Sequence, residues 1–340
     1  MTEGGERVTS AEGPYFEDLA VGQIHAGAPG MTLTGGLAAA HRAIVGGRLA
    51  LPLDEALCAQ VTGQGSLAPP GLVWDVAIGQ STVVTHHVRA NLFYRGLVFR
   101  RTPALGDTLR TRTEVVGLRQ NRPRPGRKPT GLAALRIVTV DQEDRPVLDF
   151  WRCAMLPLRD PSVKTGLADD LDAVGAPADQ ASLAAVADGW DLATLAARTS
   201  GPRFADLCEG QRFEIVGGDV VSSAPELARL TLNVAEAHHD VVAAGGRRLV
   251  YGGHTIGLAL SQTLRALPGL ATIAGWHGCD HLGPVHEEDT LRSTVTVERT
   301  EPLDSGGGLV HLRSRVRADP DTTSAEPREV LDWRFVAVMA

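Results

Sequence analysis

The stretch "LGDTLRTRTEVVGL" at 105–118 contains the letters DTLR, which return 182 positions later in "EEDTLRSTVTVERT" at 287–300. Neighbouring segments recur in the same order at nearly the same offset. They are "FEDLAVGQ" (16–23) with "FADLCEGQ" (204–211), "LVWDVAIG" (72–79) with "LVYGGHTIG" (249–257), and "VLDFWRCAML" (147–156) with "VLDWRFVAVM" (330–339). This ordered recurrence predicts a tandem duplication, and its long period predicts that each copy is a small domain with its own core.

The composition is that of an ordinary globular chain. Its 340 residues suggest about two domains, and 43% hydrophobic with 21% charged residues suffice for a full core. The net charge of −7 argues against a protein that neutralises phosphates on nucleic acid, because such a protein needs a basic surface. No nucleic-acid partner is therefore predicted.

The cysteine pattern and the apolar runs bear on the cellular compartment. The cysteines are far apart and lack CxxC spacing, so reduced thiols are predicted at Cys58, Cys153, Cys208 and Cys279. The leader resembles no secretory signal, and no apolar run reaches the 18 or so residues that a membrane span needs. We predict a cytoplasmic protein without a membrane partner.

The repeat divides the chain into four segments. We predict a disordered tail at 1–13, an N-terminal unit at 14–160, a linker at 161–201 with one or two short helices, and a C-terminal unit at 202–340. In each unit a first helix precedes an apolar helix and then strands of alternating polarity. This order predicts an α+β fold, in which each antiparallel sheet wraps around a buried helix and two units complete each other.

The first helix of the second unit is predicted from "SSAPELARLTLNVAEAHH" at 222–239. Ser222 or Ser223 can cap it, and Pro225 is tolerated in a first turn.

This arrangement resembles the double hot-dog fold, and the segments resemble those of MaoC-like acyl-CoA hydratases and dehydratases. The likeness is greatest to the mesaconyl-CoA hydratase (beta-methylmalyl-CoA dehydratase) branch. The segments that carry it include "ANLFYRGLVFRRTPALGDTLRTRTEVVGLR", "VLDFWRCAM" and "ARLTLNVAEAHHD". The resemblance implies reversible hydration of an enoyl-CoA thioester with a short branched or carboxylated acyl group. It implies no metal or redox cofactor, with CoA as part of the substrate.

The family's hydratase motif has the form T-G-D-x-N-P-x-H, and in the second copy it falls on "TLNVAEAH" at 231–238. Thr231 and His238 match, whereas Asn233 replaces the aspartate. In the first copy the motif falls on "VGGRLALP", where Gly47 and Pro52 replace the aspartate and the histidine. The resemblance therefore implies one active site, built on the second copy, with the first copy retained to shape the acyl and CoA tunnel.

Hydration of an enoyl thioester requires a base for water, a donor for the α-carbon and N–H groups for the thioester oxygen. His238 is the predicted base because imidazole exchanges protons near neutral pH. Asn233 is predicted to orient the water, and Asp240, His239 or Glu236 to supply an acid. Helical spacing would place Glu236 and Asp240 on one face. The alternative for His238 and His239 is a structural polar pair at a helix end.

The glycine-rich "YGGHTIG" at 251–257 opens the apolar helix of the second copy. Free N–H groups at a helix N-terminus bind anions, and Gly253 aligns with the family's oxyanion glycine. Tyr251 and His254 beside it are predicted to contact the substrate. The alternative is a plain entry turn.

Two further clusters have polar or charged side chains. Arg124, Arg127 and Lys128 lie in a Pro-rich turn and are predicted to meet the phosphates of CoA, the alternative being a solvated hairpin tip. His277, Cys279 and His281 alternate along a predicted strand and would share one face, which raises a zinc site as an alternative. Because no HExxH or paired CxxC accompanies them, we predict that they line the cleft wall or the sheet face and bind no metal.

Two other functions suit the same pattern. A non-catalytic acyl-CoA or acyl-carrier binding protein would explain the lost motif residues, and a thioesterase can use the same fold. A homodimer is also predicted, because the sheets of such units leave edges that association covers.

Overall fold

The computed structural model describes residues 11–320 and 326–340, so most of the tail predicted at 1–13 lies outside the described residues. The described α-helices are α1 Gly35–Val45, α2 Ala50–Leu53, α3 Glu55–Thr62, α4 Pro70–Gln80, α5 Gln180–Ala185, α6 Leu192–Arg198, α7 Ala224–Leu230 and α8 Gly252–Ala266. The described strands are β1 Ile24–His25, β2 Met31–Thr32, β3 Ala90–Phe99, β4 Thr108–Gln120, β5 Thr130–Val140, β6 Pro146–Pro157, β7 Arg212–Glu214, β8 Asp219–Val220, β9 Leu270–His281, β10 Thr290–Pro302, β11 Gly308–Asp319 and β12 Arg328–Met339.

All strands belong to one antiparallel sheet that crosses both copies. Its order is β1-β4-β5-β6-β3-β9-β12-β11-β10-β7, with β2 on β4 and β8 on β10. The two halves meet where β3 pairs with β9, in a register that places Tyr94 opposite Cys279. The repeat predicted two α+β units and the family resemblance a double hot-dog fold, and the structure has this arrangement, with one long helix, α4 or α8, against each half of the sheet.

The repeated DTLR has the same structural task in both copies. Asp107 Oδ2 accepts the N–H of Ala104 at 2.9 Å, and Asp289 Oδ2 accepts the N–H of His286 at 2.9 Å. Each aspartate thereby closes the turn before a long strand. The following leucine carbonyl accepts the side-chain amide of a glutamine at the end of the central helix, Gln80 or Gln262, again at 2.9 Å. The recurrence therefore reflects folding rather than chemistry.

These glutamines correct one part of the predicted repeat. Gln80 and Gln262 lie 182 positions apart, the same offset as DTLR, so Pro70 of α4 corresponds to Gly252 of α8. The pairing of "LVWDVAIG" with "LVYGGHTIG" is therefore wrong as a structural alignment. In the first copy the letters LV lie inside the helix, whereas in the second they precede it.

The two copies share one hydrophobic core. Trp74 of α4 packs edge-on against Trp276 and Trp333 of the second copy, with ring centroids 5.0 and 6.1 Å apart. All three side chains are fully buried. Buried aromatic residues of this size contribute strongly to core stability. The linker helices α5 and α6 lie between the copies in sequence. Within the described residues, no helix is long and apolar enough to cross a membrane.

The single helix predicted at 222–239 is wrong. Helix α7 ends at Leu230, Leu232 has a φ of 59°, and a short 3₁₀ turn follows at Glu236–His238. The chain leaves the helix here because the backbone at Thr231 packs directly on α4. A Cβ added to Gly79 would lie 1.7 Å from the Thr231 carbonyl oxygen. Ser223 does occupy the N-cap, with a φ of 60°, but its side chain makes no capping bond.

Candidate active site

A cavity of about 290 Å³ opens at the N-terminus of α8. Both copies line it. The first copy contributes the start of β3 and the residue before it, and the second contributes the 3₁₀ turn, the start of α8 and the end of β9. The polar residues and glycines among its lining are Arg89, Asn91, His238, Gly252, Thr255, His281 and Gly283.

His238 presents one nitrogen to this cavity. Its Nδ1 lies 2.8 Å from the carbonyl oxygen of Leu249 and must donate to it, since a carbonyl only accepts. The neutral ring therefore keeps the lone pair on Nε2, as a general base requires. Burial lowers the pKa of His238 to about 4, with the Leu249 carbonyl acting in the opposite direction. The imidazole is consequently unprotonated at neutral pH.

A second imidazole, that of His281, lines the same cavity. Its Nε2 is buried and has no hydrogen-bond partner among the described residues. Burial, followed by the neighbouring His238, lowers the pKa of His281 to about 4. The ring is held against Gly252, where an added Cβ would lie 2.5 Å from Nε2. The sequence alone predicts for His281 only a place on the cleft wall or the sheet face.

His277, Cys279 and His281 do not share a face, so that expectation is wrong. The pairing of β9 with β12 skips a position at His277, between the pairs Gly278–Arg334 and Trp276–Phe335. The bulge turns His277 to the outer face of the sheet, where its Nε2 lies 2.8 Å from His311 Nδ1. Cys279 is buried instead. The three side chains therefore form no common ligand set.

The N-terminus of α8 supplies hydrogen-bond donors at the cavity. Gly252 and Gly253 are its first two residues, and the N–H groups of a first helical turn have no acceptor within the helix. Gly252 lines the cavity. The Cα of Gly253 faces away from it, since an added Cβ would lie 2.0 Å from Asp75 Oδ1 and 2.5 Å from the Tyr251 ring.

Tyr251 belongs to a buried network rather than to the cavity wall. Its hydroxyl donates to Asp75 Oδ1 at 3.0 Å, and Asp75 Oδ2 lies 2.9 Å from His41 Nε2. Burial raises the pKa of the Asp75 carboxyl, although both hydrogen bonds oppose this. The network ties α1 and α4 of the first copy to the start of α8. His254 is also buried away from the cavity, and neither ring nitrogen has a partner among the described residues.

Replacing Gly253 with alanine should test this contact. We expect a loss of about 3 kcal/mol in the free energy of unfolding, because the methyl group must displace Asp75 or the helix start. Gly36→Ala is the matched control. Gly36 is the second residue of α1, and its added Cβ would meet nothing closer than 3.9 Å. Urea unfolding measures both, and equal stability of the two variants would refute the close contact.

The side chains of Asn233 and Asp240, which were predicted to take part in catalysis, lie outside the cavity. Asn233 is buried, and its Oδ1 accepts the N–H of Ala235 at 3.0 Å, so this oxygen holds the turn. Asp240 is exposed, and its Oδ1 accepts the N–H of Val242. Neither lines the cavity. Glu236 and Asp240 do not lie on a continuation of α7, which ends at Leu230. They belong to a separate short turn, in which the N–H of Asp240 donates to the Glu236 carbonyl at 2.8 Å.

The corresponding position in the first copy lacks one of the donors found at the start of α8. Gly47 and Pro52 line a small, mostly apolar cavity of about 50 Å³ at the start of α4. There Pro70 is the first helical residue, where α8 has Gly252. Proline has no N–H to offer an oxyanion. This site thus lacks one helix-terminal donor, and the imidazole that lines it, that of His41, is bonded through Nε2 to Asp75 at 2.9 Å.

The basic loop between β4 and β5 lines a separate cavity of about 390 Å³. Arg124, Arg127 and Lys128 are exposed there. The cavity also includes Met155 of β6, whose cross-strand neighbour Ala90 lines the His238 cavity. Since neighbouring strands lie about 4.8 Å apart, the two cavities are close to each other where Ala90 pairs with Met155.

Comparison with known proteins agrees with this architecture. No family model matches the chain. A solved conserved hypothetical protein of Mycobacterium tuberculosis, described as a double hotdog fold, is 56% identical, with a TM-score of 0.89 over 96% of this chain and 99% of that one. A putative MaoC domain protein dehydratase of Chloroflexus aurantiacus is 26% identical, with a TM-score of 0.85 over 98% and 99%. The chain belongs to the MaoC-like double hot-dog family.

Two relatives have named activities. The beta-methylmalyl-CoA dehydratase of Chloroflexus aurantiacus is 28% identical over 96% of this chain and 97% of its own length. The mesaconyl-CoA hydratase of Cereibacter sphaeroides is 27% identical over 88% of each chain.

Proposed function

We propose that the protein catalyses reversible addition of water to an α,β-unsaturated acyl-CoA thioester. The observation that carries this proposal is the acceptor Nε2 of His238 at a cavity that the N-terminus of α8 also lines. The two relatives with named activities are a dehydratase and a hydratase of CoA thioesters.

In the proposed reaction, His238 Nε2 takes a proton from water while the water oxygen bonds to the β-carbon. The electron pair of the double bond moves towards the thioester oxygen, where the N–H groups of Gly252 and Gly253 stabilise the charge. A proton from the imidazolium of His238 then reaches the α-carbon, and His281 beside it provides a second proton carrier. No atom is lost, and dehydration is the same sequence in reverse.

The acyl group that the cavity suits is carboxylated. Arg89 lines the cavity with a partly exposed guanidinium, which donates to the Ala243 carbonyl at 2.8 Å and lies 3.8 Å from Glu236 Oε1. Behind it, Arg152 is fully buried and donates to Asn91 Oδ1, Ser81 O and Thr85 Oγ1, without a carboxylate partner among the described residues. A buried cation without a counter-ion is costly, and its field favours an anion nearby. A mesaconyl-type substrate carries such a carboxylate, whereas crotonyl-CoA does not.

Replacing Arg89 with methionine should therefore change selectivity. We expect kcat/KM for mesaconyl-CoA to fall by about 10- to 100-fold, because a charge-assisted pair is lost, and kcat/KM for crotonyl-CoA to change less than threefold. Arg89→Lys should recover part of the mesaconyl-CoA rate. Equal losses on both substrates would contradict the assignment.

For the CoA portion, we propose that Arg124, Arg127 and Lys128 bind its phosphates, with the chain running past Met155 and Ala90 to the His238 cavity. Support comes from the exposure of the three cations and from the cross-strand pairing of Met155 in one cavity with Ala90 in the other. CoA enters as part of the substrate.

The test of the proposed function is loss of conjugated-thioester absorbance with mesaconyl-CoA and crotonyl-CoA, combined with product mass. A mass gain of one water supports the proposal. Release of free CoA would indicate a thioesterase, and tight binding without turnover would indicate an acyl-CoA or acyl-carrier binding protein.

We also propose a homodimer and a cytoplasmic location. Among the described residues, strands β1 and β2 pair with only four of the thirteen residues of β4, which leaves part of its edge for association with a second chain, and the unpaired state of all four cysteines supports the location.

A further inference from the structure

A cluster outside the cavity joins the two copies beside the turn that carries His238. His86 and His87 precede β3 in the first copy, and Glu236 begins the 3₁₀ turn Glu236–His238 of the second. The N–H of Glu236 donates to the carbonyl of His86 at 3.0 Å. The backbone thus fixes these residues against one another before their side chains are considered.

The side chains have the separations of a metal site. One ligand atom from each of His86, His87 and Glu236 lies within 4.8 Å of the others. His87 Nδ1 lies 3.3 Å from Glu236 Oε2. In a tetrahedral zinc site with bonds of about 2.0 to 2.1 Å, ligand atoms lie about 3.3 to 3.4 Å apart. The measured separation therefore matches two ligands of one ion.

The imidazoles also lack other partners. His86 Nδ1 and His87 Nε2 are buried without a hydrogen bond among the described residues. Buried polar atoms without partners are rare because each costs about 1 to 3 kcal/mol. Glu12 Oε2 is 3.8 Å from His87 Nε2, too long for a hydrogen bond but on the side where a ligating histidine usually donates to a carboxylate.

We infer that His86, His87 and Glu236 form a binding site for a divalent transition-metal ion, for which Zn²⁺ is the best match. Two imidazoles and one carboxylate are a common zinc donor set and leave one position for water. The Glu236 side chain is 22% exposed, so the ion has an entry from solvent. The sequence did not predict this site because its donors come from two segments about 150 positions apart.

The ion has a positioning role in this arrangement. None of its three ligands lines the His238 cavity, and His238 lies two residues beyond Glu236 in the same turn. A bound ion would fasten this turn of the second copy to the first copy. The site therefore goes beyond the proposed hydration, and it is tested without substrate.

The experiment uses tag-free full-length protein that has been treated with a chelator and then titrated with Zn²⁺ or Co²⁺. We expect one ion per chain, visible Co²⁺ absorption bands of tetrahedral intensity, and a Tm increase of about 5 °C at saturating Zn²⁺. Glu236→Gln keeps the size of the side chain but removes the anionic ligand, and it should bind Zn²⁺ at least tenfold more weakly. His25→Ala is the control: it removes a histidine of β1 that is not among the three ligands, and it should bind Zn²⁺ as the wild type does.

A second variant, His86→Ala, guards against a folding defect, and metal-free unfolding curves show whether each variant folds. Absence of tetrahedral Co²⁺ bands in the wild type would overturn the inference. So would unchanged Zn²⁺ affinity in both Glu236→Gln and His86→Ala. Enoyl-CoA turnover without metal binding would overturn the metal site and leave the proposed function standing. Metal binding without turnover would support the site and count against the function.

Discussion

His238→Ala is expected to lower kcat/KM for enoyl-CoA hydration by about 10³-fold, because it removes the cavity imidazole whose Nδ1 donates to a carbonyl and whose Nε2 therefore keeps the lone pair that a general base needs. Loss of conjugated-thioester absorbance measures the effect. His239→Ala is the neighbouring control: its Nε2 bonds to the Asn233 carbonyl at 2.6 Å and the residue does not line the cavity. We expect this control to retain activity within about tenfold.

The pH profile gives an independent check of the same residue. Because the pKa of His238 is lowered to about 4, the base remains neutral as the pH falls from 8 to about 5. We expect kcat/KM in the free enzyme to stay level over that range and to decline only as the pH approaches 4. A decline centred near 6.5, or equal losses in the His238 and His239 variants, would contradict the assignment.

The second large effect is on stability in acid and centres on His254. Burial, and secondarily His41, lowers the pKa of His254 from 6.5 to about 4 in the folded chain. Between pH 6.5 and 4 the unfolded chain binds a proton that the folded chain excludes, so the free energy of unfolding decreases as the pH falls. At pH 5 this one residue should cost about 2 kcal/mol relative to pH 7.5.

His254→Leu should remove that share of the acid sensitivity. At pH 7.5 we expect the variant to match or exceed the wild type by about 1 kcal/mol, since two buried nitrogens without partners are replaced by apolar atoms. Urea unfolding at pH 7.5 and 5.0 gives both numbers. An unchanged difference between the two pH values would refute the role of His254.

The sequence predicted the fold because its repeated letters are structural. Asp107 and Asp289 close the same turn, and the glutamines that meet the next leucines fix both helices to the sheet, so similar letters imply similar backbone. It also placed His238 and the glycines of α8 in one region. The break at Leu232 was missed because a positive φ at leucine has no local sequence signal. A glycine inside α4, Gly79, is a local sign of a close backbone approach. The sequence does not show that the approaching backbone is that of Thr231, in a distant segment.

The remaining site residues were missed for a related reason. Arg89 and Asn91 come from the first copy and reach the cavity through the pairing of β3 with β9, which was not predicted from either strand alone. Asp75 of α4 accepts a hydrogen bond from Tyr251 at the start of α8, which also joins the two copies. Residues brought together by long-range pairing share no spacing rule in the sequence.

Helix α4 begins at a proline, Pro70, whereas α8 begins at a glycine, Gly252, so the two copies have accepted different substitutions at equivalent positions. In an assembly of two identical single units, every substitution occurs twice, so a proline that improves one helix start would also remove a donor from the other. Covalent fusion ends this obligatory symmetry. Each half can then accept substitutions that would be harmful in its counterpart, and the first copy can specialise in supporting a reaction centre whose base it does not supply.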